Sequence, residues 1–256
     1  MTHFTSIRAI LALLLREMAS SEGRLRGGYL WVIFEPIAAV LLLSLAFSAA
    51  FHRPPLGQDF ALFYATGYLP FALYSDVAQK IGVALRFSRP LLAYPAVSWM
   101  DALLARLFLA SVTQTIIITL VLGSLTLWSR DMIAIDPIRL ATGFGLALLM
   151  GASTGVLNAY LFGAFPIWER LWSIANRPLF LVSAVVFLPE TLPHPYDHWL
   201  GFNPLVHAVS EVRAGLYPAY EATWPEPGSM ALAALVPLAI GLALLLRHAH
   251  EILHEA

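Results

Sequence analysis

Apolar runs long enough to cross a lipid bilayer constrain this chain more than any other feature. The first covers residues 30–51, and about 20 such residues are enough to cross the hydrocarbon layer. Five further segments of this kind follow, at residues 61–85, 101–127, 138–162, 171–188 and 230–246. The sequence therefore predicts an all-α integral membrane protein with six transmembrane helices.

Composition agrees with a membrane protein and excludes several functions. Apolar residues make up 59% of the 256 residues and charged residues only 12%, and the formal net charge is −1. There is no basic cluster, so nucleic-acid binding is not expected. Cysteine is absent, which excludes disulfides, thiolate catalysis and cysteine-ligated metals. We expect a single transmembrane domain over residues 1–256, without a cleavable signal peptide.

Residues 1–28 predict an amphipathic helix that lies in the membrane surface. Apolar side chains recur at helical spacing on one side: Phe4, Ile7, Leu11, Leu14 and Met18. Charged and polar side chains occupy the other side: Arg8, Arg16, Glu17 and Ser20. Arg24 and Arg26 then precede the first span, and Glu35 and Pro36 lie about one turn inside it. This junction is either a membrane anchor with a snorkelling Glu35 or a cytoplasmic collar that receives force from a partner.

The distribution of positive charge places both termini in the cytoplasm. On the six-span topology most basic residues lie in inner segments or at inner span ends: Arg8, Arg16, Arg24, Arg26, Lys80, Arg86, Arg89, Arg106, Arg170, Arg177 and Arg247. The remaining basic residues lie on the outer side: Arg53, Arg130, Arg139 and Arg213. This asymmetry follows the positive-inside rule, and it leaves residues 247–256 as a cytoplasmic tail.

Two features of the inner side each have two interpretations. Asp76 and Lys80 lie four residues apart in the second span, so they either form an ion pair or present a polar patch to a pore. Residues 86–99 are too short, and too interrupted by proline, to span a membrane. They form either an ordinary connection or a short cytoplasmic segment that docks into a cleft of a partner subunit.

The region before the last span predicts an irregular structure at the outer side. Residues 189–228 are rich in proline and aromatic residues, and Asn203 followed by Pro204 is a good start for a helix. That helix has an apolar stripe of Leu205, Val209, Val212 and Leu216, but it is too short to span. We expect a helical hairpin that re-enters the bilayer, or a surface helix, at the mouth of a channel.

Two motifs typical of enzymes occur in settings that do not suit catalysis. HEILH at residues 250–254 matches a zinc-protease motif, but it lies in a polar tail without a third ligand nearby, so surface histidines are the default interpretation. GASTG at residues 151–155 matches a serine-nucleophile motif, but within a span such small residues indicate close helix packing. We expect no catalytic residue and no metal site. A nucleotide-binding P-loop is excluded as well, because Lys80 is the only lysine and no matching glycines precede it.

Two motifs together resemble the permease subunit of bacterial capsular-polysaccharide ABC exporters of the ABC-2 type. One is a GYLW…EP opening after a surface helix that ends in a basic segment, and it is formed by Gly28, Tyr29, Leu30, Trp31, Glu35 and Pro36. The other is the NPL-VH…E-R pattern within residues 203–213. Both motifs occur in the family's order, and the similarity covers nearly the whole chain.

The resemblance implies a permease that moves a lipid-linked capsular polysaccharide across the bacterial inner membrane. Two copies of the chain would form the pore, and two copies of a separate ATPase subunit would bind ATP and Mg²⁺ beneath it. This chain would then need no cofactor of its own. Periplasmic and outer-membrane export proteins are further expected partners. The alternatives are an exporter of O-antigen, lipo-oligosaccharide or another lipid-linked substrate, a membrane zinc protease that uses HEILH, and a structural scaffold.

Candidate site residues fall into four groups under this interpretation. ATPase coupling is expected at Arg8, Arg16, Glu17, Arg86, Arg89, Leu91 and Leu92. An inner gate is expected at Tyr29, Trp31, Phe34, Glu35, Trp168 and Trp172. Contact with a lipid phosphate is expected at Arg24, Arg26 and Arg177. An outer gate is expected at Tyr196, Trp199, Phe202, Asn203, His207 and Tyr217, although each aromatic residue is also suited to the membrane interface.

Overall fold

A computed structural model describes residues 28–92, 97–129, 133–222 and 226–255, without the side chains of residues 28–30, 250 and 253–255. The helix predicted for residues 1–28 therefore lies almost entirely outside the described residues. Within these ranges the regular structure consists of nine α-helices and one 3₁₀ turn, with no strand, which confirms the all-α prediction. The α-helices are α1 Gly28–Ala50, α2 Phe60–Gly82, α3 Ala84–Leu92, α4 Trp99–Trp128, α5 Pro137–Ala164, α6 Pro166–Val182, α7 Tyr196–Leu200, α8 Pro204–Ala214 and α9 Pro227–Glu255.

Four of the described helices are long and apolar enough to cross a membrane. These segments are Trp31–Ala50 in α1, Trp99–Trp128 in α4, Pro137–Ala164 in α5 and Pro227–Ala249 in α9. The other two predicted spans correspond to α2, which carries Asp76 and Lys80, and to α6, which has 17 residues. The count of six spans therefore stays a prediction.

Helix α6 is displaced along the sequence from the span predicted at residues 171–188. It begins at Pro166, because proline fits the first turn of a helix, where its missing N–H leaves no carbonyl without a partner. It ends at Val182, because the chain turns sharply after Ser183 and Ala184 adopts a left-handed φ of 56°. The sequence prediction placed both ends too late, since it followed hydrophobicity and not the turn.

Short polar side chains fix the starts of three helices. Ser98 and Asp101 form a capping box at α4: Ser98 Oγ accepts a hydrogen bond from Asp101 N, and Asp101 Oδ2 accepts one from Ser98 N. Asp136 accepts hydrogen bonds from two backbone N–H groups at the start of α5. At α8, Asn203 Oδ1 accepts from Leu205 N at 3.0 Å, which confirms the N-cap predicted before Pro204.

Helices α2 and α5 form the centre of the bundle, because glycines let their backbones approach. A Cβ at Gly151 would lie 2.8 Å from the carbonyl oxygen of Tyr74, and a Cβ at Gly155 would lie 3.1 Å from that of Ala78. The packing interpretation of the GASTG motif is thereby confirmed. On the opposite side of α5, a Cβ at Gly241 of α9 would lie 2.7 Å from the backbone nitrogen of Leu157.

Helix α8 is buried on all sides, beyond the single apolar stripe that the sequence predicted. Every residue from Leu205 to Ala214 is buried, and the helix packs against α2, α5 and α9. Gly143 of α5 makes room for it, since a Cβ there would lie 2.7 Å from the carbonyl oxygen of Ala208. With only 11 residues, α8 is a short helix inside the bundle.

A fully buried arginine connects α8 to the turn after α6. Arg213 donates from Nη1 to the carbonyl of Phe187 and from Nη2 to that of Val185, each at 2.9 Å. Its guanidinium carbon also lies 4.5 Å from the centre of the Phe63 ring in α2. The charge therefore supplies donors to a non-helical segment whose carbonyls would otherwise be buried without partners.

We predict that Gly241→Ala disrupts the contact of α9 with α5. The new Cβ would lie 2.7 Å from Leu157 N and 2.8 Å from Leu157 Cα, and backbone atoms in a helix cannot yield locally. We expect the free energy of unfolding to fall by about 1–3 kcal/mol. Gly145→Ala is the matched control, since nothing lies within 4 Å of its added Cβ and alanine favours a helix. The thermal stability of both variants is measured by size-exclusion chromatography after heating. Equal stability of the two variants would contradict the close packing of α9 on α5.

We also predict that Arg213→Ala lowers stability by about 3 kcal/mol, because two buried carbonyls lose their donors. The stability of Arg213→Lys should lie between that of Arg213→Ala and that of the unchanged protein. An ammonium group lacks the planar fork of donors with which a guanidinium reaches both carbonyls. Arg139→Ala is the control: its guanidinium lies 3.8 Å from Asp136 in an ion pair that is almost half exposed. Loss of folded protein on heating is the measurement, and an Arg213→Ala protein as stable as the control would refute the role.

Candidate functional site

A cavity of about 710 Å³ lies between α1, α2 and α4, and its mostly apolar lining includes several charged and amide side chains. We call it the inner cavity, because its polar residues belong to the parts of these helices that the sequence places on the cytoplasmic side. Its charged and amide side chains are Glu35, Asp76, Gln79, Lys80, Arg106 and Gln114. Volumes of roughly 300–1,000 Å³ are usual for ligand sites.

The ion-pair interpretation of Asp76 and Lys80 holds, and a polar patch that faces a pore stays a prediction. Lys80 Nζ lies 2.9 Å from Asp76 Oδ2, which confirms the predicted ion pair. Both side chains are about 30% exposed and line the inner cavity. The pair is therefore stabilised by mutual attraction and still presents charge to the cavity.

Arg106 of α4 completes the charged side of the inner cavity. Its Nη1 donates to the carbonyl oxygen of Lys80 at 3.1 Å, and its guanidinium carbon lies 4.4 Å from the centre of the Phe87 ring in α3. The side chain is buried, so these contacts replace much of its hydration. Arg106 thus joins three helices at the point where α2 is followed by α3.

Only one of the inner-gate candidates with a described side chain reaches the inner cavity. Glu35 lines it, whereas Trp31 and Phe34 lie on the exposed side of α1, 65% and 54% accessible. Trp168 donates from Nε1 to Asn158 Oδ1 at 3.1 Å, and Trp172 packs beside Phe71 and Tyr74. The side chain of Tyr29 lies outside the described residues. The structure therefore does not bring this group together within one subunit.

The coupling candidates in the described part of the chain lie on α3. Arg86 makes two hydrogen bonds to Glu169 at the start of α6, at 2.6 and 3.0 Å, and these bonds raise the pKa of Arg86 above its ordinary value. Arg89 is exposed, Leu91 is half-buried, and Leu92 packs against the core. The other three candidates, Arg8, Arg16 and Glu17, lie outside the described residues.

The phosphate candidates are only partly described. Arg24 and Arg26 lie outside the described residues, and Arg177 is exposed on α6. It borders a shallow pocket of about 370 Å³ with Phe71, Ser173, Asn176 and Phe180. The guanidinium of Arg177 is the donor there that suits a phosphate group, since Ser173 Oγ donates to the carbonyl of Arg170 and Asn176 Nδ2 donates to Ser75 Oγ.

The outer-gate candidates separate into an exposed group and a buried group. Tyr196, Trp199 and Phe202 are exposed around α7, with the rings of Tyr196 and Trp199 5.9 Å apart. In contrast, Asn203 caps α8 and also donates to the carbonyl of Val182, and Tyr217 packs in the core. These two positions stabilise the fold, and only the exposed group faces outward in a single subunit.

The sixth outer-gate candidate, His207, is a buried link between two segments. Its Nε2 lies 2.8 Å from the carbonyl oxygen of Gly201, and its Nδ1 accepts a hydrogen bond from Glu226 N at 3.2 Å. A neutral imidazole with its proton on Nε2 satisfies both contacts. His207 therefore fastens the start of α9 to the turn before α8.

Three residues important for this geometry were not predicted as site residues: Arg106, Gln114 and Glu169. Arg106 bonds to the backbone of Lys80, 26 positions away, and Glu169 bonds to Arg86, 83 positions away. Arg106 and Gln114 did carry a signal, since polar side chains within an apolar span are costly and usually face protein or water. The side chains of both histidines of HEILH lie outside the described residues, so the interpretation of that motif stays a prediction.

Comparisons with known proteins agree with the resemblance seen in the motifs. The chain is 28% identical over 233 residues to the polysialic acid transport protein KpsM of Escherichia coli, covering 91% of this chain and 90% of the relative. It is 24% identical to the capsule polysaccharide export inner-membrane protein CtrC of Neisseria meningitidis, covering 94% and 91%. It is 20% identical to the corresponding protein BexB of Haemophilus influenzae, covering 93% and 89%.

The model of the family described as ABC-2 type transporter matches residues 8–217, which include the inner cavity, α3 and the buried helix α8. With a match over most of its length, this chain belongs to the ABC-2 type transporter family.

Proposed function

We propose that this chain is the permease subunit of an ATP-driven exporter that moves a lipid-linked capsular polysaccharide across the bacterial inner membrane. The observation that carries the proposal is the similarity, over 91% of this chain, to a polysialic acid transport protein, together with the similarity to two inner-membrane proteins named for capsule polysaccharide export. A cavity with charged and amide side chains among apolar helices supports it, because a glycan needs polar partners inside a membrane.

The proposed topology has six spans, α1, α2, α4, α5, α6 and α9, with both termini in the cytoplasm. The inner cavity supports α2 as one of the spans, because the charged residues that lower the hydropathy of α2 face that cavity and not lipid. Helices α7 and α8 are proposed as a hairpin that re-enters the bilayer from the outer side. A helix of 11 residues is too short to span, and its complete burial is what a re-entrant segment requires.

A second copy of the chain is proposed to complete the pore. Helix α6 has no buried residue, and α1 exposes large apolar side chains along its length, including Leu41, Leu42 and Leu45. These two helices flank α2, so a second copy packed against them would enclose the space beside the inner cavity. Two copies of a separate ATPase subunit would bind below, and periplasmic and outer-membrane proteins would receive the glycan.

Helix α3 is the proposed coupling element. It is short, it lies between two long helices, and its Arg86 is joined directly to α6. Movement of α3 after ATP binding would therefore be transmitted to α6 through the two hydrogen bonds between Arg86 and Glu169. Surface ion pairs contribute little to stability, so the proposed role of this pair is mechanical.

Reversing the charges of this pair tests the coupling. Arg86→Glu places two carboxylates together, and we expect capsule at the cell surface to fall about fivefold or more, equivalent to a coupling free energy of about 1 kcal/mol. Adding Glu169→Arg should restore export, since the pair is rebuilt in reverse. Arg170→Glu, on the exposed side of the same turn, is the control for charge alone. Surface polysaccharide and co-purification of the ATPase subunit are measured, and a double variant as defective as Arg86→Glu would refute the link.

Replacing the phosphate candidates tests the lipid end of the substrate. We expect Arg177→Gln, and likewise Arg24→Gln and Arg26→Gln, to reduce export about tenfold while ATPase-subunit association stays intact, because a charge-assisted hydrogen bond to phosphate is lost. Arg53→Gln is the control, since Arg53 is exposed in the loop after α1. Accumulated glycolipid inside the cell is the measurement. Unchanged export by all three variants would remove the phosphate contact from the proposal.

A further inference from the structure

A pocket of about 280 Å³ lies where α3 meets the ends of three long helices. Its lining comes from α3, from the ends of α2, α5 and α9, and from the first residue of α6. We call it the α3 pocket. It shares only Val83 with the inner cavity, and it shares no residue with the shallow pocket beside Arg177. The α3 pocket is therefore a separate site.

The α3 pocket lies at the edge of the apolar spans. Phe162 and Gly163 belong to the last turn of the apolar segment Pro137–Ala164, whereas Ile252 follows the apolar segment that ends at Ala249. Lipid headgroups occupy this depth in a bilayer. On the proposed topology this edge is the cytoplasmic one, so the neighbouring headgroups belong to the inner leaflet.

Two glycines allow the apolar walls of the pocket to pack closely. A Cβ at Gly82 would lie 2.6 Å from the ring of Phe162, and a Cβ at Gly163 would lie 2.5 Å from Cγ2 of Ile252. Both apolar side chains are therefore held against the backbone of a neighbouring helix. The pocket has apolar walls on two sides that the fold itself positions.

Two arginines of α3 give the pocket its charge. Arg86 and Arg89 both line it, and no acidic side chain is found in its lining within the described part of the chain. Glu169 accepts two hydrogen bonds from Arg86, and Arg89 also interacts elsewhere in the protein. A guanidinium has more N–H groups than one carboxylate binds, so Arg86 keeps donors for another acceptor.

Cations beside apolar walls at this depth are suited to an anionic phospholipid. Basic pockets between transmembrane helices on the cytoplasmic side bind anionic headgroups, and guanidinium forks match phosphate oxygens. Leu85, Phe162 and Ile252 supply apolar surface for the glycerol and the first methylene groups of the lipid. A soluble anion would leave these walls in contact with water, which is unfavourable.

We propose that the α3 pocket binds the headgroup of an anionic phospholipid of the inner leaflet, with Arg86 and Arg89 donating hydrogen bonds to its phosphate. This lipid is a constituent of the membrane and not the exported molecule, so the inference goes beyond the proposed function. Only the choice of leaflet rests on the proposed topology. Because Arg86 also holds Glu169, the lipid would contact the same link that is proposed to transmit movement from α3 to α6.

Protection of a thiol tests whether the lipid occupies the pocket. The chain has no cysteine, so Ile252→Cys places a single thiol in the lining. Glu251→Cys is the matched control, because Glu251 is exposed and does not line the pocket. The full-length protein is delipidated in dodecyl maltoside, and its labelling by the uncharged reagent N-ethylmaleimide is followed as phosphatidylglycerol is added.

We expect phosphatidylglycerol to slow the labelling of Ile252→Cys about fivefold when it is present at several times its Kd. The labelling of Glu251→Cys should not change. Phosphatidylcholine and inorganic phosphate should protect neither thiol. Unchanged labelling of Ile252→Cys would overturn the proposal, and equal protection by inorganic phosphate would overturn the assignment to a lipid.

Replacing an arginine tests the donors. In the Ile252→Cys background, Arg89→Gln should raise the concentration of phosphatidylglycerol that gives half protection about fivefold, because one charge near the headgroup is lost. Arg89→Lys should lie closer to the parent, since it keeps the charge. Arg170→Gln is the matched control, because Arg170 is exposed in the first turn of α6 and does not line the pocket. An equal effect of Arg170→Gln would assign the attraction to general surface charge and refute the site.

A second measurement keeps the proposal testable if Ile252→Cys does not fold. The unchanged protein should gain more thermal stability from phosphatidylglycerol than from phosphatidylcholine, and Arg89→Gln should lose most of that difference. Protection of the thiol by a purified ATPase subunit, with none by phosphatidylglycerol, would assign the pocket to a protein partner and overturn the proposal. Specific protection by phosphatidylglycerol in a chain that does not restore capsule export would support the lipid site and contradict only the proposed function.

Discussion

Direct backbone contact between α2 and α5 is the interaction on which the remaining packing depends. Inside lipid the hydrophobic effect does not drive helices together, so association depends on close van der Waals contact and on hydrogen bonds. Gly151 and Gly155 allow that contact on one side of α5, and Gly241 of α9 repeats it on the other. Helix α4 then packs on the outer side of α2, and α8 fits between α2, α5 and α9. Helices α1 and α6 remain at the edge with few buried side chains, and the polar residues of α2 face the inner cavity between α1, α2 and α4.

The inner cavity and the buried helix α8 treat polar groups in opposite ways. At α8 three polar side chains bind the surrounding backbone: Arg213 donates to two carbonyls, Asn203 caps the helix, and His207 joins two segments. The non-helical turn after α6 thereby receives hydrogen-bond donors from within the protein. In the inner cavity the polar groups are only partly satisfied by one another. A membrane protein that keeps an unsatisfied Gln114 beside charged residues loses stability there, and the fold gives no structural compensation for it.

Local rules predicted the parts of this structure that depend on neighbours in sequence. The ion pair of Asp76 and Lys80, the cap at Asn203 and the packing role of Gly151 each follow from spacing of a few residues. Contacts between distant helices could not be predicted in this way, because the hydropathy of a span does not say which neighbour it meets. Arg106 was therefore predicted only as an inner positive charge, although it joins α2, α3 and α4. The aromatic gate residues were grouped by type, and the structure separates them: Trp31 and Phe34 are exposed on α1, whereas Trp172 of α6 packs against the core.

The proposed coupling element and the inner cavity share one short piece of chain. Arg86 and Phe87 are adjacent in α3; Arg86 binds Glu169 of α6, and Phe87 lines the cavity under the guanidinium of Arg106. Under the proposed function, a displacement of α3 by an ATPase subunit must move α6 and the wall of the cavity together. Because coupling between two binding sites is reciprocal, a glycan that contacts this wall would in turn change the affinity of α3 for its partner. A single rigid turn of helix would then link occupancy of the transport path to engagement of the ATPase, with no separate sensor.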